Sequence, residues 1–141
     1  MFTRILFVIL TIASVTAYAD VDSDGRSDYV IYRPSDGYWW RFTQSGATQV
    51  IHWGDPGDIP IPGMDVDGDG KSDIVVYRPS NGTWYTPQQS AGVQWGFSTD
   101  IPLGGMDVDG DGKSDFVVYR PSEGNWYSLM QSGATQVIHW G

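Results

Sequence analysis

The sequence predicts an all-β protein of three repeats. Each repeat is a β-propeller-type blade of short antiparallel strands, forming a propeller that is partial or completed by other copies. Three observations carry this. An acidic nonapeptide begins at Asp20, Asp65 and Asp107, setting periods of 45 and 42 residues. Behind each copy runs a β-branched and aromatic segment, "DYVIYRP", "DIVVYRP" or "DFVVYRP", that stops at a proline. Each repeat then offers a tight turn, a second strand, and a third strand closing on Trp-Gly.

The chain opens with a different kind of segment. Arg4 lies in a short cationic start, residues 5–15 are apolar, and Ala17-Tyr18-Ala19 has the small-x-small form of a cleavage site. The apolar run is about half the ~20 residues needed to span a bilayer. Residues 1–19 are therefore expected to be a secretory signal, cut after Ala19 or, as a fallback, after Ala17. This places the protein in an extracellular or periplasmic compartment with no membrane span. There is no cysteine, so no disulfide stabilises the exported chain.

From Asp20 onward, seven basic residues face 17 acidic ones, a net charge of −10. Twelve of those acids sit in the three nonapeptides, so the acidity is local; it argues against nucleic acid as a partner. In "DVDGDGKSD" the carboxylates Asp65, Asp67, Asp69 and Asp73 hold positions 1, 3, 5 and 9, with Gly70 at the sharp turn. Alternate carboxylates can converge on one centre, and the backbone carbonyl of Lys71 at position 7 faces the same way. Such all-oxygen ligation suits a hard cation, and the flexible coordination of calcium suits it best. The second identical copy offers Asp107, Asp109, Asp111, Asp115 and the Lys113 carbonyl. In "DVDSDGRSD" the set is Asp20, Asp22, Asp24, Asp28 and the Arg26 carbonyl. Three calcium ions would bring the net charge to −4. The first site is expected to be the weakest, because a cut after Ala19 would leave a charged amine at Asp20.

The residues after the loop exclude an EF-hand. Position 12 holds Ile31, Val76 or Val118 where a bidentate glutamate belongs, and a strand stands where a helix is needed. A dockerin-like reading fails for the same reason. After the first strand, "YRPSDGYWW", "YRPSNGTWY" and "YRPSEGNWY" describe a hairpin in which Gly37, Gly82 and Gly124 supply positive φ. A third strand, "TQVIHWG" or "GVQWG", completes the unit. "DIPIPGM" and "DIPLGGM" then form a short inner strand ahead of the next loop.

The nonapeptide combined with Y-R-P-S-x-G-x-W resembles the FG-GAP/VCBS repeats of integrin-type propellers, in the form found in secreted bacterial proteins. The resemblance covers the whole chain from Asp20. It implies calcium bound between the first and second strands of each blade. It also implies a role in adhesion, in binding carbohydrate or extracellular protein, or as an accessory module. Propellers of this kind close with about seven blades, whereas this sequence supplies three. The units are 20–64, lacking an inner strand before its loop; 65–106; and 107–141, which stops before the next inner strand. Three accounts of the ends stay open: a piece of a longer chain, a subunit that assembles with copies of itself into a ring or filament, or an open arc.

Six tryptophans recur at equivalent places. Trp39, Trp84 and Trp126 follow the turn, and Trp53, Trp95 and Trp140 precede the closing glycine; packing between blades is their expected role. Trp40 replaces Tyr85 and Tyr127 and is the candidate for exposure and ligand binding. Arg33, Arg78 and Arg120 are expected to pair with a carboxylate or stack on a ring. His52 and His139 align with Gln94, which argues against a catalytic histidine, and the acids outside the loops lie in turns. No enzyme activity is expected.

Overall fold

The computed structural model describes residues 19–141. The expected signal segment, apart from Ala19, lies outside the described residues. Three antiparallel sheets follow one another along the chain, with no helix among the described residues. Sheet 1 is three-stranded: β1 (Tyr29–Arg33), β2 (Tyr38–Phe42) and β3 (Thr48–His52). Sheet 2 has four strands in sequential order, β4 (Ile59–Pro60), β5 (Val76–Arg78), β6 (Thr83–Thr86) and β7 (Gln89–Gln94). Sheet 3 repeats that order with β8 (Ile101–Leu103), β9 (Phe116–Arg120), β10 (Asn125–Leu129) and β11 (Thr135–His139). The short strand ahead of each acidic loop is therefore present as β4 and β8. Sheet boundaries fall one strand earlier than the boundaries of the sequence period.

The turn between the first two long strands is built alike in all three sheets. The N–H of Gly82 donates to the Arg78 carbonyl at 2.9 Å, and the Gly82 carbonyl accepts the Trp95 N–H at 2.9 Å. Its φ is 65°, and a Cβ there would stand 2.0 Å from the Gly96 carbonyl oxygen. Only glycine serves both the positive φ and the close approach.

Alternation along the strands of sheet 2 sends one face toward sheet 1 and the other toward sheet 3. Trp39 and Tyr32 of sheet 1 pack with Ile74 and Val76 at the entry of sheet 2. Trp84 of sheet 2 meets Phe116 of sheet 3, ring centroids 5.5 Å apart, within a cluster that includes Met64, Val75, Tyr77 and Val118. Each of these tryptophans also fastens its own sheet. The indole N–H of Trp39, Trp84 and Trp126 donates to the carbonyl of Trp53, Trp95 and Trp140 respectively, at 2.8–2.9 Å. Trp39 and Trp84 are fully buried at the seams, Trp53 and Trp95 half-buried, whereas Trp140 is 75% exposed.

Candidate metal centres at the sheet entries

Loops 65–73 and 107–115 join the first strand of a sheet to its second, and loop 20–28 precedes β1. In each loop the carboxylates at positions 1, 3 and 9 converge. Asp20, Asp22 and Asp28 form one trio, Asp65, Asp67 and Asp73 the next, and Asp107, Asp109 and Asp115 the third, with oxygens within 4.8 Å of one another. The position-5 carboxylates Asp24, Asp69 and Asp111 stand outside these trios. Each instead accepts the N–H of position 7 (Arg26, Lys71 or Lys113) at 2.8–2.9 Å.

Backbone amides shape each trio. Asp65 accepts N–H groups from Gly68 (2.7 Å), Asp69 (3.2 Å) and Gly70 (2.8 Å), which wraps the loop around its first carboxylate. Asp107 does the same with Gly110, Asp111 and Gly112. The first loop departs from this pattern. Asp20 accepts from Asp24 and Gly25 only, and Ser23 occupies position 4 at a φ of 65° where the other loops have glycine. At position 9, one oxygen accepts the N–H of Val21, Val66 or Val108 at 2.7–2.9 Å. Its other oxygen takes a glutamine from the turn after the second long strand: the N–H of Gln44 or Gln131, or the side-chain amide of Gln88. Sequence reasoning missed these glutamines, although "TQSG", "PQQS" and "MQSG" carry them at matching places.

Three carboxylates so close repel one another when ionised. Burial pushes the Asp73 carboxyl above the usual aspartate range, partly offset by the Val66 amide, and Asp67, Asp65 and Asp69 add to the rise. Asp115 is raised for the same reasons, burial first, with Asp109 and Asp111 contributing. An all-oxygen donor set under this repulsion fits a hard divalent cation.

The loops also touch each other. The Asp20 N–H donates to the Ser72 hydroxyl at 3.0 Å, and the Ser72 N–H returns to the Asp20 carbonyl at 2.6 Å. Asp65 and Ser114 repeat the pair at 3.0 and 2.6 Å. The serine at position 8, silent in the sequence, thus ties each acidic loop to the preceding one.

The recurrent arginines find both kinds of partner. Arg120 grips Asp100 with two N–H groups at 2.9 Å, and its guanidinium lies 4.3 Å from both the Phe97 and Tyr127 rings. Arg78 holds Asp58 and Asp55 and covers Tyr85. Arg33 pairs with Asp36 and covers Trp40 at 4.1 Å. The five acids outside the loops are thus all arginine partners; Glu123 is the fifth, against Arg120. Trp40 is half-buried under Arg33, and among the seven tryptophans it is Trp140 that stands exposed. The expectation for Trp40 rested on ring substitutions; Trp140 lies on a face that no other described sheet covers.

Where Phe97 lies beneath Arg120 at the rim of the second seam, Asp55 takes its place at the first. There a cleft of about 300 Å³ opens, lined by His52, Trp53, Asp55, Arg78, Tyr85 and Ser90 among others. The Trp53 indole N–H is buried without a partner.

Among the described residues, no helix is long and apolar enough to cross a membrane. Compared with protein-family models, with curated proteins and with solved structures, the chain finds no match in any of the three.

Proposed function

We propose that the chain is a secreted, calcium-stabilised module of β-propeller blades that binds an extracellular carbohydrate or protein and performs no catalysis. The observation that carries the calcium reading is the recurrence of one carboxylate trio, positions 1, 3 and 9, at the entry of all three sheets. In each loop, calcium would sit among that trio and neutralise carboxylates that otherwise oppose their own burial. Because successive loops are hydrogen-bonded through Asp20–Ser72 and Asp65–Ser114, fixing one loop also fixes the register of its neighbour. The FG-GAP/VCBS resemblance supplies the binding role and the export route.

The non-catalytic reading is supported by how the remaining acids are used. Asp58 and Asp100, the two buried ones, are spent on Arg78 and Arg120. The cleft at the first seam, with Trp53 and Tyr85 beside Asp55, Arg78 and His52, offers ring faces and polar groups of the kind a sugar takes. A glycan panel probed in calcium and again in chelator tests the whole reading. Binding that is lost on chelation and reduced by Asp55→Ala supports it. Binding indifferent to calcium, or no change in folding on chelation, contradicts it.

A further inference from the structure

We propose that the open face of sheet 3 docks onto the open face of sheet 1 of a second copy of this chain, reproducing the two seams found inside each copy. This goes beyond the ligand-binding reading and does not depend on it. Both internal seams follow one pattern: the tryptophan after the turn (Trp39, Trp84) meets the first strand of the next sheet (Ile74 and Val76, or Phe116 and Val118). At one end of the molecule the tryptophan side is open. Trp126, Ile138, Trp140, Val117 and Met106 line an apolar groove of about 250 Å³, and Trp140 is 75% exposed.

At the other end, the receiving side is open among the described residues. Tyr29 and Ile31 occupy the places of Phe116 and Val118 but are 63% and 43% exposed, against 3% and 1%. Phe42 and Trp40 stand opposite them on β2, in register with Tyr29 and Ile31, and Val50 continues the same face on β3. A repeat that ends in solvent normally carries a polar outer face, and neither of these faces does. Among the described residues the loop contact has open halves as well: the backbone of Asp107 at one end and the Ser27 N–H and hydroxyl at the other match the Asp20–Ser72 and Asp65–Ser114 pairs. The two faces differ from each other, so the contact is heterologous and propagates to a ring or a filament.

Light scattering of the purified protein in calcium, over a range of concentrations, tests this together with two variants. One carries Ile138→Asp and Trp140→Ser, and the other carries Tyr29→Ser and Ile31→Asp; all four side chains are exposed, so each variant keeps its internal seams. The wild type is expected to associate. Each variant alone should self-associate at least tenfold more weakly, and an equimolar mixture should form a 1:1 complex, because one intact face of each kind remains. A wild type that stays monomeric overturns the proposal. So does association that survives in both variants. A monomer whose tryptophan fluorescence responds to an oligosaccharide would assign the exposed faces to a glycan instead, and leave the ligand-binding reading standing.

Discussion

At the scale of single residues, one strained position separates the first loop from its twins. Ser23 adopts a φ of 65°, where Gly68 and Gly110 do so without a side chain. Left-handed backbone costs a non-glycine residue about 1–2 kcal/mol. Ser23→Gly should therefore raise stability by about 1 kcal/mol, measured by urea unfolding in calcium; no gain would mean the serine is not strained. Arg120 offers an opposite case. It holds the fully buried Asp100 carboxylate with two hydrogen bonds. Removing one partner of such a pair leaves a buried charge alone, so Arg120→Ala should destabilise by about 3–5 kcal/mol, with Arg120→Lys falling between. An Arg120→Ala protein that unfolds like wild type would show the pair to be dispensable.

Asp73 and Asp115 carry a pH signature. Their folded-state pKa values lie above the usual range, so the protonated carboxyls favour the fold. In chelator, the contribution of these two carboxyls to stability should be greatest below about pH 4 and decline as the pH rises through the raised values, a slope that Asp73→Asn with Asp115→Asn should remove. Saturating calcium should remove that decline, since a bound cation favours the ionised form. Melting curves across pH, with and without calcium, check the sign; a chelated protein that gains stability over that range would contradict it.

At the scale of elements, the acidic loop and the hairpin turn decide where each sheet begins and folds back. Gly82→Ala places a methyl group against the Gly96 carbonyl at a positive φ, whereas Gly133 has open space around it at a φ of 87°. Gly82→Ala should cost several times the ~1 kcal/mol expected for Gly133→Ala, as denaturation midpoints would show. Ala19 behaves as part of the first element. It is 2% exposed, and its carbonyl accepts the Asp28 N–H at 2.6 Å, as Met64 and Met106 do for Asp73 and Asp115. Under the proposed export, a cut after Ala17 keeps that acceptor in full, and N-terminal sequencing of the secreted chain should then begin at Tyr18. A start at Asp20 would mean the first loop does without it.

The strands, the turn glycines and the loop carboxylates were legible because each is a local pattern repeated three times. Period-2 runs, Pro-Ser-x-Gly and alternating aspartates need no knowledge of distant contacts. What escaped was relational. Ser72 and Ser114 look like filler until two loops lie side by side, and the Gln44, Gln88 and Gln131 contacts appear only once the turn folds back onto position 9. Asp58 and Asp100 looked like ordinary turn residues because their arginines lie 20 positions downstream. The position-5 aspartates are a mixed case: spacing places them beside the other carboxylates, and in the fold one oxygen of each accepts the position-7 amide while positions 1, 3 and 9 form the tight trio.

For the molecule as a whole, the proposed calcium ions take the part of disulfides in a chain with little core within any single sheet. Its apolar side chains are buried at seams between sheets, and the acidic loops bridge the same seams. Extracellular calcium modules bind with dissociation constants of roughly 10⁻⁴–10⁻³ M. At ten times that constant, each site contributes about 1.4 kcal/mol, so three sites together are a substantial part of a small domain's net stability. Calorimetric titration of the chelated protein with calcium measures this directly. Three bound ions per chain are expected, the first loop the weakest, with a melting temperature that rises with saturation. An absence of heat, or calcium uptake without any change in melting temperature, would contradict a calcium-held fold.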